Sequence, residues 1–220
     1  LISCYRIFPL TYIKLSKLIT LTRKDYTLLY MNLVFASSNK NKIQEIAQLM
    51  PSSITIKGLG EIGCTTDIPE TSDTIEGNAV LKANFVKDNY QLDCFADDTG
   101  LEVTALQGAP GVYSARYAGE HCNSEDNIDK LLKELEEVED RSAQFKTVVA
   151  LNLGDKTYLF EGIVKGNISK ERIGTQGFGY DSVFIPEGSD RSFAQFSMQE
   201  KATVSHRGIA IRRLMEFLKN

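Results

Sequence analysis

The spacing of apolar residues switches between helix and strand periods along residues 31–220. Residues 32–36 form a short apolar run fit for a buried strand, and the polar stretch Ser37, Ser38, Asn39, Lys40, Asn41 follows it. Ile43, Ile46, Ala47 and Met50 then recur at i, i+3, i+4 and i+7, which predicts a helix that Pro51 stops. Residues 54–59 read as a strand, and a polar segment containing Gly60, Gly63 and Pro69 leads to a helix over residues 75–89. A short strand at residues 94–96 points into Asp97, Asp98, Thr99 and Gly100, and residues 101–106 read as another strand. Ser124 is the expected cap of an amphipathic helix with Ile128, Leu131, Leu132, Leu135 and Val138 on one side. Residues 143–153 and 157–164 flank Gly154-Asp155 and predict a long antiparallel hairpin. Residues 205–219 close the chain as a helix with Ile211, Leu214, Met215 and Leu218 on one face. Alternating strands and helices followed by a hairpin imply an α/β fold with a mixed central sheet.

Composition narrows the class further. With 220 residues, 42% of them hydrophobic, the chain can bury a sizeable core without a metal or disulfide staple. Cys4, Cys64, Cys94 and Cys122 are dispersed, with no CxxC spacing, and read as reduced cytosolic thiols rather than zinc ligands. Residues 1–30 hold Arg6, Lys14, Lys17, Arg23 and Lys24 against Asp25 alone; the net charge of −4 therefore hides an acidic body of −8. An acidic body excludes general nucleic-acid binding, which needs a basic face. The first thirty residues lack both a membrane-length apolar run and a signal-peptide layout. They are expected to be a basic extension outside the functional domain, which spans residues 31–220.

Four segments carry chemistry. A strand, a short polar loop and a helix can present backbone N–H groups to a phosphate, with Ser37, Ser38 and Asn39 adding donors and Lys40 and Lys42 adding charge; the same pattern also describes a capped helix with solvated lysines. Asp97 and Asp98 at the end of an apolar strand would face opposite sides, one into a cleft, where a carboxylate can hold Mg²⁺ or accept a proton from water; an acidic turn is the plainer reading. Around Gly177, Phe178, Gly179, Tyr180 and Asp181 the glycines permit close approach, and Phe178 or Tyr180 offers a face on which a base can stack, worth about 1 to 3 kcal/mol; a glycine-rich bulge with core aromatics would read the same way. His206 and Arg207 open the last helix, where positive side chains oppose the helix dipole. An anionic or carbonyl-rich ligand at that end would explain them, as would plain solvation.

Six blocks in order (FASSNKNKIQEI, IPETSDTIEGNAVLKA, FADDTGLEV, GAPGVYSARYAG, GTQGFGYDSVF and KATVSHRGIA) closely resemble the inosine triphosphate pyrophosphatase family, from about Met31 to the C-terminus. The resemblance implies an elongated two-lobed α/β unit with the nucleotide between lobes. It also implies Mg²⁺-dependent hydrolysis of ITP, dITP and XTP to the monophosphate and pyrophosphate by a cytoplasmic homodimer. It assigns Ser37, Ser38, Asn39, Lys40, Asn41 and Lys42 to the triphosphate loop, Asp98 to catalysis and metal, and Thr99 to substrate contact. Phe178, Gly179, Tyr180, Asp181, Lys201, His206 and Arg207 would form the base and sugar pocket, with Arg207 donating to the 6-oxo group. Two departures from the family pattern stand out: Ser38 where Gly is common, and Gly77 before Asn78-Ala79 with Glu76 one place early. Glu70 and Glu76 are therefore both open as metal support. A non-catalytic nucleotide-binding module on the same scaffold, or a septum-associated nucleotide pyrophosphatase, are the competing classes.

Overall fold

The structure is a computed structural model that describes residues 31–121 and 123–219; the expected extension at residues 1–30 lies outside them, as do Cys4 and Cys122. The chain runs β1 (Met31–Phe35), α1 (Lys40–Ala47), β2 (Ile54–Gly58), α2 (Ile75–Tyr90), β3 (Cys94–Val103) and β4 (Pro110–Gly111). It continues through α3 (Ser124–Glu134), β5 (Ser142–Leu153), β6 (Lys156–Ile168), β7 (Phe184–Pro186), α4 (Met198–Val204) and α5 (His206–Lys219). Among the described residues, seven strands make one mixed sheet in the order β2-β1-β3-β5-β6-β7, with β4 added to β3. β1 is parallel to β2 and β3, whereas β5, β6 and β7 join antiparallel.

The expected α/β class with a mixed sheet is what forms, and the hairpin turns at Gly154-Asp155 as its sequence implies. Three local expectations change. β3 is one strand through Asp97 and Asp98, paired residue by residue with β5, and the segment after Val103 is a short 3₁₀ turn. The carboxylates are therefore in mid-strand, not at a strand end, with Lys42 and Arg207 paired to Asp97 and Lys82 to Asp98. Asn39 and Asn123, not Ser124, cap α1 and α3 by accepting backbone N–H groups. α1 ends at Ala47 and α3 at Glu134, short of Met50 and Val138.

Both faces of the sheet are covered. α2 packs its Ile75, Ala79, Ala83 and Val86 on Val34, Ala96, Val148 and Ala150. On the other face Ile46 of α1 and Ala210, Ile211 and Leu214 of α5 cover Leu33, Phe95, Val149 and Leu151. A further cluster on that second face joins Leu101, Val103 and Phe145 to Ile128 and Leu131 of α3 and to Phe184 and Phe193. Among the described residues, no helix is long and apolar enough to cross a membrane. Cys64 and Cys94 are buried free thiols.

Helix α5 lies directly on the hairpin because β6 has a glycine beneath it. A Cβ at Gly162 would meet the His206 carbonyl oxygen at 2.0 Å and the Ala210 nitrogen at 2.7 Å, both backbone atoms that cannot turn aside. Gly162→Ala is expected to destabilise the fold by about 1 to 3 kcal/mol, as overpacking does. A urea denaturation midpoint equal to that of the parent would refute this seating of α5.

His206 is 3% exposed, and its ring stacks on Phe145 at 4.6 Å between centroids. Burial, with Arg207 and Lys201 near, holds its pKa well below the ordinary 6.5. The unfolded chain therefore takes up a proton that the folded chain refuses, so stability falls as pH drops below 6.5. One proton gives a slope of up to about 1.4 kcal/mol per pH unit. Denaturation midpoints compared from about pH 7.5 to about pH 5 should show this slope reduced in His206→Gln; equal slopes in both proteins would exclude the buried neutral imidazole.

Candidate active site

The face of the sheet under α5 alternates inward residues along each strand, and its apolar run is interrupted at one level. On β3 the inward series is Phe95, Asp97, Thr99, Leu101, Val103; on β5 it is Ala143, Phe145, Thr147, Val149, Leu151. Phe95, Val149 and Leu151 belong to one apolar cluster and Leu101, Val103 and Phe145 to another. Asp97, Thr99 and Thr147 therefore form a polar row between two apolar clusters, and charged residues of α1, α4 and α5 converge on it.

Asp97 is 1% exposed. Its Oδ1 accepts from Lys42 Nζ at 3.1 Å and its Oδ2 from Arg207 Nε at 2.9 Å. Burial alone would raise this carboxyl, but Lys42 and Arg207 hold it far below the usual carboxylate range. Arg207 also donates to Glu45 through Nη1 and to Thr99 Oγ1 through Nη2, at 3.2 Å for the latter. Lys201 Nζ donates to Glu45 at 2.6 Å and to Asp181. The unfavourable cation at the start of α5 is thus balanced inside the protein by Asp97 and Glu45. Burial would raise the Glu45 carboxyl, but Arg207 and Lys201 lower it.

Asp98, next along β3, points to the α2 face. Its Oδ1 accepts from Lys82 Nζ at 2.9 Å, and the same ammonium donates to Glu70 Oε1 at 2.6 Å. Burial raises the Asp98 pKa above the ordinary carboxylate value against the pull of Lys82. Glu70 is therefore the acid grouped with Asp98. Glu76, the other candidate, instead accepts from Lys146, which also pairs with Glu161. Among the described residues, no three His, Cys, Asp or Glu side chains are grouped to hold a metal ion. Two convergent carboxylates still suit Mg²⁺, which commonly takes one or two protein carboxylates and completes its shell with water and phosphate oxygens.

The polar loop after β1 lies beside this centre. Asn39 Oδ1 accepts from the Asn41 and Lys42 backbone nitrogens at 3.0 and 3.2 Å, and Ser37 Oγ from Asn39 N at 3.2 Å. Some N–H groups expected to face a ligand are thus engaged by the cap. Ser38, Lys40 and Asn41 are exposed, and Lys42 reaches inward to Asp97.

In the glycine-rich loop Gly177 has φ +77°, and a Cβ there would strike the Asp181 carboxylate at 2.1 Å. That carboxylate accepts from Phe178 N at 2.8 Å and from Lys201, so it fixes the loop around Gly179. Phe178 is half-buried with Lys201 Nζ 4.9 Å and Arg207 Cζ 5.7 Å from its ring centre. Tyr180 is 5% exposed, packs in the core and donates to the Ser114 carbonyl at 2.9 Å, so only Phe178 keeps a ring available for stacking. Sequence reading missed Lys82, Glu45 and Thr147. Lys82 carried a usable signal, since it occupies the buried stripe of α2 with Ile75, Ala79 and Val86.

A model of the Ham1 family matches residues 33–217. A protein of Flavobacterium psychrophilum named dITP/XTP pyrophosphatase is 62% identical over 190 residues, covering 86% of this chain and 100% of its own. A dITP/XTP pyrophosphatase of Porphyromonas gingivalis is 52% identical over 84% of this chain and 96% of its own. The solved structure of the Staphylococcus aureus Ham1 protein superposes with a TM-score of 0.78 at 41% identity, covering 86% of this chain and 98% of that one. By sequence and by fold, the chain belongs to the Ham1 family.

Proposed function

We propose that this protein hydrolyses the non-standard purine nucleoside triphosphates ITP, dITP and XTP to the monophosphate and pyrophosphate, with Mg²⁺, as a cytoplasmic homodimer. The observation that carries this reading is the pair Asp97 and Asp98. Adjacent carboxylates on opposite faces of one strand are each held by different cations, within a chain so similar to named dITP/XTP pyrophosphatases.

The two carboxylates divide the work. Asp97, bound by two cations, stays ionised and holds Lys42 and Arg207 in place. Asp98, whose pKa burial raises, is the better proton acceptor and takes the proton of the attacking water. Asp98 and Glu70 would hold the Mg²⁺, which when bound supplies Lewis-acid polarisation and charge neutralisation at the phosphates. Ser37, Ser38, Asn39, Lys40, Asn41 and Lys42 receive the triphosphate, and Lys82 adds positive charge beside Asp98. Thr99 contacts the nucleotide near the reacting end. Phe178 offers its face to the base, while Gly179, Tyr180, Asp181 and Lys201 shape the wall around it. Arg207, expected to read the 6-oxo group with a free fork, already donates from Nε, Nη1 and Nη2 to Asp97, Glu45 and Thr99. Its share in recognition falls to the N–H groups that remain.

Pyrophosphate release measured on ITP, XTP, GTP, ATP and dTTP, with and without Mg²⁺, tests the reading. Metal-dependent release favouring ITP and XTP is expected; release from none supports a binding module, and preference for dTTP supports the septum-associated class. Asp98→Asn should lower kcat by about 10³-fold with the thermal midpoint near that of the parent, since Lys82 keeps Glu70 as partner. Asp97→Asn should lower the thermal midpoint as well as the rate, because Lys42 and Arg207 lose a shared buried counter-ion. Near-parental turnover in Asp98→Asn would overturn the assignment.

A further inference from the structure

Among the described residues, one buried side-chain polar atom has no hydrogen-bond partner: Nδ2 of Asn78, in the first turn of α2. Asn78 is fully buried, and an orphaned donor there costs stability, so its presence calls for a reason. Its one bond fixes how the amide is turned. Oδ1 accepts from the Ser72 backbone nitrogen at 2.9 Å, and an N–H can only donate, so the oxygen must face Ser72 and Nδ2 is left over.

Ser72 lies two residues beyond Glu70. Residues 65–73 belong to neither helix nor strand and make no backbone–backbone hydrogen bond to the described residues. Side chains therefore set where Glu70 stands: Lys82 Nζ donates to its Oε1 at 2.6 Å, Arg116 Nη2 donates to its carbonyl oxygen at 3.5 Å, and Asn78 holds Ser72. Gly77 leaves room for this seat, since a Cβ there would meet Ser72 Oγ at 1.9 Å and Ser72 Cβ at 2.7 Å. A charged acceptor would serve less well. Asn78 and Lys82 are four residues apart on the buried stripe of α2, so an aspartate would add a third carboxylate beside the ammonium that Glu70 and Asp98 share. The neutral amide accepts from Ser72 without drawing Lys82 away, and the idle Nδ2 is the consequence.

We propose that Asn78 is a positioning residue for Glu70: it fixes the Ser72 backbone so that the Glu70 carboxylate stays grouped with Asp98, where a divalent cation would be received. The inference rests on the metal placement in the nucleotide reading above and deepens it.

Binding of Mn²⁺ alone to the full-length protein, followed by the EPR signal of the free ion, tests this without turnover. Mn²⁺ takes the oxygen ligands that suit Mg²⁺. Asn78→Ala should weaken binding about tenfold in the parent, and by less than about twofold in Glu70→Gln, where no carboxylate is left to position. Gly77→Ala displaces Ser72 by contact while alanine favours the helix, so it should give the same pattern, and it carries the test if Asn78→Ala does not fold. Equal loss in both backgrounds overturns the proposal, as does parental Mn²⁺ binding in folded Asn78→Ala or, failing that variant, in Gly77→Ala. If Glu70→Gln itself binds Mn²⁺ as the parent does, the metal placement fails and the proposal with it. If Glu70→Gln weakens binding and the other two variants do not, the positioning role alone fails.

Discussion

Two carboxylates side by side in the middle of a sheet determine much of what surrounds them. Asp97 and Asp98 are 1% and 6% exposed, and a buried carboxylate without partners is too costly for a fold to carry. Strand geometry sends neighbouring side chains to opposite faces, so one cation cannot serve both directly. Each layer of helices must supply its own: Lys42 from α1 and Arg207 from α5 on one side, Lys82 from α2 on the other. Burying Arg207 and Lys201 then requires Glu45 and Asp181. The ion pairs thus tie α1, α2, α4 and α5 to one stretch of β3, beyond what their apolar faces do.

The same constraint separates the chemistry of two identical side chains. Asp97 faces two cations of its own and is the weaker base, whereas Asp98 shares one ammonium with Glu70 and is raised by burial. Environment, not residue type, separates the two, and on the proposed reaction it makes Asp97 the brace and Asp98 the proton acceptor. The polar row that continues through Thr99 and Thr147 extends the field of the brace to His206, whose neutral ring lies at the end of the hydroxyl chain.

Periodicity in the chain was enough to locate β1, β2, α1, α2, α3, α5 and the Gly154 hairpin, but not β4 or α4, which are too short to show a repeat. It put a break into β3 where there is none: DDTG has turn composition, and partners distant in sequence, Lys42, Lys82 and Arg207, accompany it as a strand. Motifs singled out Ser37 to Lys42, Lys201, His206 and Arg207 as candidates, and the fold brings Lys42, Lys201 and Arg207 onto one carboxylate cluster. Glu45 and Thr147 were not singled out, since a glutamate on a short helix and a threonine in a strand are ordinary in isolation. Their meaning lies in contacts across 156 to 162 residues of chain for Glu45 and across 59 for Thr147.

Charge balance alters one expectation about how the site meets its substrate. Lys42 was expected to meet the triphosphate, and Lys201 and Arg207 the base and sugar, yet each is already paired with a carboxylate of the protein. Over this cluster four cations, with Lys82, face five carboxylates, Glu45, Glu70, Asp97, Asp98 and Asp181. A bare triphosphate would have to draw a cation away from a buried counter-ion, and breaking such a pair costs about 3 to 5 kcal/mol. A triphosphate accompanied by a divalent cation brings its own positive charge. Asp98 and Glu70 share a single ammonium and are the acids best placed to receive that charge. On the proposed reaction, an acidic body of −8 is therefore consistent with an anionic substrate, because what such a site binds most readily is the metal complex of the nucleotide.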